Sequence, residues 1–131
     1  MGKLNLKYGF HDTSVTDVKA EADTIILSFE SGVYCLDKNG KETNLTPYCQ
    51  IVIKFSDKHI DQHVIIEQRY KGNYHEINIS DFCRSVENNK FDIVIDYYSP
   101  FAKSIVLSGY VGKYQMNLVL SEIDEVAINF P

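Results

Sequence analysis

Several groups of residues in this 131-residue chain carry side chains capable of chemistry. His11-Asp12 sets a carboxylate beside an imidazole, the pairing of a general base whose ring is oriented by an acid. Adjacent residues on an extended chain point to opposite faces, however, so the two are poorly placed to converge on one atom. Asp12 is read instead as closing a turn onto a neighbouring backbone N–H, just ahead of a strand that begins near Ser14. Both residues are expected to be structural.

Asp57-Lys58-His59-Ile60-Asp61-Gln62-His63 is the stretch with metal-ligand spacing. His59, Asp61 and His63 would share one face of a strand, and His59 and His63 lie one helical turn apart. His75 is the further ligand in reach. The Glu and apolar flanks of a His-Glu-x-x-His helix are missing, so the stretch is read as a solvated connection. A metal-dependent enzyme using His59, His63 and His75 is the last-ranked alternative. Acidic groups occur at Asp92 and Asp96 and at Glu122, Asp124 and Glu125. A glycosidase needs two carboxylates facing each other across a cleft, one of them desolvated. Acids along one strand are read as a solvated face. Cys35, Cys49 and Cys83 lack Cys-x-x-Cys spacing and fall in apolar stripes, the setting of inert, reduced core thiols. There is no glycine-rich phosphate loop and no Gly-x-Ser-x-Gly elbow, so neither a cofactor nor catalysis is expected.

The elements that must position these residues are mostly strands. Apolar alternation marks Ile25-Leu27-Phe29, Cys49-Ile51-Ile53-Phe55 and Phe91-Ile93-Ile95-Tyr97. Further strands are read at 33–36, 64–70, 74–79, 105–109, 116–120 and 126–130. Asn39-Gly40, Lys71-Gly72-Asn73 and Gly112 mark turns between them. One helix is expected near residues 80–89, capped by Ser80, striped by Phe82, Cys83 and Val86 and stopped at Asn88-Asn89. The fold class is α+β, mainly β: a largely antiparallel sheet of about nine to ten short strands, curved or doubled over one core, in a single domain spanning 1–131.

Thirteen basic residues face 18 acidic ones, for a formal charge of −5. Phosphate contacts need Lys and Arg, so nucleic acid and anionic membrane are disfavoured and a basic protein partner is favoured. No apolar stretch near the amino terminus is long enough for a signal peptide, and the odd, scattered cysteines suit a reducing compartment. A cytoplasmic address is expected.

Phe-His-Asp-Thr-Ser-Val-Thr-Asp-Val at 10–18, followed by Asp-Thr-Ile-Ile-Leu-Ser-Phe at 23–29, resembles the opening of a group of small β-rich bacterial proteins. Their pattern is His-Asp-Ser-x-Val ahead of an apolar strand. The later acidic strand, Gly109 and the terminal Ile-Asp-Glu-Val-Ala-Ile-Asn-Phe at 123–130 are similar too. Thr13 stands where the pattern has Ser, although Ser14 follows. Several related groups look like immunity proteins of polymorphic-toxin or contact-dependent inhibition systems. The resemblance implies a non-enzymatic cytoplasmic protein that binds and neutralises a cognate toxin domain, a basic one by charge. It supplies no catalytic residue.

The partner-binding face is expected on the strand from Phe91 to Tyr98. Phe91, Ile93, Ile95 and Tyr97 would face the core, sending Asp92, Val94, Asp96 and Tyr98 outward. Glu122, Asp124 and Glu125 are the next acidic candidates. A β-rich carrier of a small ligand is the other reading.

Overall fold

The computed structural model describes residues 3–131. It is mainly β, as expected, with two antiparallel sheets and two short helices. The small sheet has the order β1 (Tyr8–Gly9), β4 (Tyr34–Leu36), β5 (Glu42–Leu45). The large one is β12 (Ile123–Asn129), β6 (Cys49–Phe55), β3 (Thr24–Phe29), β2 (Thr13–Glu21), β9 (Phe91–Ser99), β10 (Ser104–Val111), β11 (Tyr114–Leu120), β7 (Val64–Tyr70), β8 (Asn73–Ile77). The turns read at Asn39-Gly40, Lys71-Gly72-Asn73 and Gly112 all join paired strands.

Connectivity forces the large sheet to double over. β11 and β12 stand six places apart in it, a span of about 29 Å if the sheet were flat. Only Ser121 and Glu122 lie between them, and three peptide units reach about 11 Å. The sheet therefore folds back, and the two-residue link is bonded on either side to the strand next in the sheet: Ser121 N–H donates to His63 O just ahead of β7 (2.9 Å), and Ser56 N–H just after β6 donates to Glu122 O (2.9 Å). The bend falls at the β2–β9 seam, which has three pairs: Thr13 with Ile93, Ser14 with Asp92 and Val15 with Phe91. Both seam strands carry a bulge close by, at Thr16 and at Val94, and bulges bend and twist a strand.

Between the folded halves lies one core, including Ile25, Leu27, Phe29, Ile51, Ile53, Phe55, Phe91, Ile93, Leu107 and Leu118, all fully or nearly fully buried. Helix α2 (Ile79–Asn88) closes it from the side against β2 and β7. Its cap is Asn78 rather than Ser80: the Asn78 side chain accepts from Asp81 N–H at 2.8 Å, so the helix starts one residue before Ser80. Phe82 and Val86 are buried beneath it, and Phe82 meets Phe91 edge to face at 5.6 Å.

A second helix, α1 (Ile60–His63), occupies the stretch expected to be a plain solvated connection. Its four residues are too few for a periodic pattern. Its fixed point is His63, buried, stacked on Phe55 and bonded through Nε2 to Asp57 Oδ1 at 2.9 Å. The His59 N–H and then His63 hold the Asp57 carboxyl below its ordinary pKa. Among the described residues no helix is long and apolar enough to cross a membrane.

Candidate functional site

β9 is where sequence periodicity and structure part. Phe91 and Ile93 face the core as expected, but Ile95 and Tyr97 do not: they are 43% and 62% exposed. Asp96 and Tyr98, expected outside, turn inward and are half-buried. The cause is the bulge. Ile93 pairs with Gly109 and Ile95 with Ser108, leaving Val94 as an extra residue without a partner. One extra residue inverts the facing of everything after it.

Gly109 makes room for this. A Cβ there would stand 1.8 Å from the Asp92 carbonyl oxygen. Beyond the bulge, the inward pair secures the amino-terminal segment. The Asp96 carboxylate accepts from Phe10 N–H at 3.0 Å, and the Tyr98 hydroxyl accepts from Leu6 N–H at 3.1 Å. Asp96 and Tyr98 are thus committed to the interior side and leave the expected partner face.

What replaces them outside is more apolar. The registers place Tyr97, Val106, Val119 and Ile65 side by side across β9, β10, β11 and β7. The next row runs Ile95, Ser108, Asn117, Glu67 and Glu76. A third holds Asp92, Tyr110 and Gln115, and Arg69 reaches Gln115 at 3.3 Å while pairing with Tyr74. Asp92 is fixed from β2, where Ser14 Oγ donates to its carboxylate at 2.6 Å. Tyr74, Tyr110, Val94 and Ile65 are all exposed. The face therefore has an aromatic-aliphatic band bordered by Asp92, Glu67 and Glu76, with Arg69 the one cation in these rows. Large, rigid aromatics with a polar border are the composition of protein interfaces.

Of the expected site residues, Asp92 and Val94 stay on this face. Glu122, Asp124 and Glu125 are exposed but sit at the far edge of the sheet. Glu122 occupies a left-handed turn (φ 52°), and Asp124 falls at the β12 bulge. Bulges and charges protect an open sheet edge from pairing with another strand.

The histidines scatter. His75 lies on exposed β8, His63 is spoken for by Asp57, and among the described residues no group of three His, Cys, Asp or Glu is placed to hold one metal ion. Cys49 is buried, whereas Cys35 and Cys83 are half-buried, less enclosed than the apolar stripes suggested. Burial pushes the Cys49 and Cys83 thiols up, away from the reactive thiolate.

His11 and Asp12 do form the turn ahead of β2, but not through the expected bond. Asp12 adopts φ 56°, so the strand rule separating adjacent side chains does not apply. Its carboxylate meets His11 Nδ1 at 3.0 Å, and Glu42 Oε1 from β5 meets Nε2 at 2.5 Å. Beside this cluster lies a cavity of about 440 Å³ whose wall includes Leu6, Tyr8, Leu36, Asp96 and Tyr98.

No family profile, curated protein or solved structure matches this chain.

Proposed function

We propose that this is a non-enzymatic, cytoplasmic protein-binding domain that occludes a basic partner, in the manner of an immunity protein neutralising a bacterial toxin domain. The observation that carries this reading is the Val94 bulge, which turns Ile95 and Tyr97 to solvent and completes an apolar row over four strands. A continuous apolar row with an aromatic residue in it and acids at its border is the make-up of an interface. Asp92, Glu67 and Glu76 around it match the acidic balance of the chain and would steer a basic surface to it.

The test is co-purification with the product of the adjacent gene, followed by titration. Tyr97→Ala should weaken the complex by about 2 kcal/mol, roughly thirtyfold, the loss of an aromatic anchor. Glu67→Lys with Glu76→Lys should leave the fold intact and slow association, most at low salt. If both variants bind as the wild type does, the face is not the site and the Glu122, Asp124 and Glu125 edge is next. Failure of that protein to bind at all would remove the immunity reading.

The cavity beside His11 favours a second reading, a carrier of a small apolar ligand. A ligand retained in native mass spectrometry, with no loss on Tyr97→Ala, would select it.

A further inference from the structure

His11 is held by carboxylates from two separate parts of the chain. Asp12 belongs to the corner between β1 and β2, and Glu42 opens β5. A carboxylate can only accept a hydrogen bond, and a neutral imidazole carries one N–H. Both contacts are hydrogen bonds only when both ring nitrogens are protonated. A neutral ring leaves a lone pair facing Asp12 or Glu42.

The contact to Glu42 is a tie between strand β5 and the body. β5 is the outer strand of the small sheet, its four residues are all exposed, and its two pairs with β4, Tyr34 with Leu45 and Leu36 with Glu42, are separated by a register shift. The hairpin turn is closed within itself by Asp37, through bonds to Asn39 and Lys41 N–H (2.8 and 2.9 Å), and β4 is held to the body by β1 and by Leu36 N–H to Lys7 O (2.9 Å), so the Glu42 contact is the tie of the outer strand β5. Gly9 leaves space for the tie: a Cβ there would stand 3.0 Å from Glu42 Oε2.

We propose that His11 is a proton-operated latch, whose imidazolium fastens the outer strand β5 of the small sheet to the β1–β2 corner through Glu42 and releases that strand on losing its proton.

The groups around the ring favour the closed form at acidic pH. Glu42 and Lys41 come from the hairpin, Asp12 from the corner, and the Tyr34 ring of β4 lies 5.6 Å away. Asp96 and Tyr98 of β9 and Tyr8 of β1 line the same cavity. Three carboxylates thus face one lysine. Burial of the ring pulls the His11 pKa down, but hydrogen bonding and charge from Glu42 and Asp12 outweigh it, leaving the pKa above its ordinary value. A raised pKa means that the stabilisation is complete below the unfolded value of about 6.5 and is lost as pH rises through the folded one.

Hydrogen exchange of the amides from Asp37 to Thr46, at about pH 6 and about pH 8 and corrected for intrinsic rates, tests the latch. Amides of Ile53 and Leu107 report global stability alongside. Hairpin protection in the wild type should fall several-fold at the higher pH relative to those core amides, and His11→Gln should abolish the difference. A wild type without the fall, or a His11→Gln protein that keeps it, overturns the proposal; the second outcome would assign the effect to His59, His63 or His75. Should His11→Gln fail to fold, the ring titration of His11 followed by NMR in the wild type and in Glu42→Gln decides. A lower pKa in the variant supports the latch, and an unchanged one overturns it.

Discussion

Gly109→Ala is expected to destabilise the fold by about 3 kcal/mol or more, the upper end of what overpacking does. The new Cβ would lie 1.8 Å from the Asp92 carbonyl oxygen, 2.8 Å from its carbon and 2.9 Å from Ile93 Cα. All three are backbone atoms, so no rotamer change relieves the clash. Gly109 needs no left-handed φ, which makes this a matter of space rather than of backbone freedom. Relief requires β9 and β10 to part at the bulge, the feature that sets the facing of Ile95, Asp96, Tyr97 and Tyr98. Urea unfolding should show a much lower midpoint. A wild-type midpoint would mean that the two strands separate there freely, and with that the bulge would lose its hold on the outer face.

Phe82→Ala should lose about 3–5 kcal/mol, as truncations of buried phenylalanines do. Phe82 has no exposed surface and packs edge to face on Phe91, itself fully buried at the seam. A helix of ten residues is marginal alone and depends on such an anchor. Cys83, next to it and half-buried, reports on the same event. Denaturant titration should give the stability loss, and alkylation of Cys83 in native buffer should accelerate with it. A loss under about 1 kcal/mol with unchanged alkylation would show that β2 and β7 hold the helix without Phe82.

Much of this architecture was legible in the sequence because strands with one buried side write their period plainly. Ile25-Leu27-Phe29 and Cys49-Ile51-Ile53-Phe55 are buried at every named position. The turns at Gly40, Gly72 and Gly112 were legible for a local reason, since each glycine adopts positive φ. β9 defeats the same logic. Phe91-Ile93-Ile95-Tyr97 alternates without a flaw, yet the bulge depends on the partner strand. β9 offers nine residues to the eight of β10, and one has nowhere to pair. Gly109 was the available signal, a glycine inside a strand where another backbone comes close. His11 and Asp12 were judged by strand geometry that Asp12 does not adopt, and Glu42, their distant partner, stood in a stretch with no pattern of its own. The candidate face was hence half visible: Asp92 and Val94 were found, while Ile95 and Tyr97 were assigned to the wrong side.

The three-pair seam between β2 and β9 also has a bearing on how quickly this protein reaches its native state. β2 with β3, β7 with β8 and β10 with β11 are hairpins of neighbouring segments, which close in microseconds. Ser14 and Asp92, which meet across the seam, are 78 positions apart. Bringing them together closes a long loop for three pairs of ladder, so the entropy is lost before the core enclosed by the two halves can repay it. The seam shares this demand with β12 on β6, where Asn129 meets Gln50 from 79 positions away, and with β11 on β7; until these distant pairings form, the inner faces of both half-sheets are open to water and to other chains.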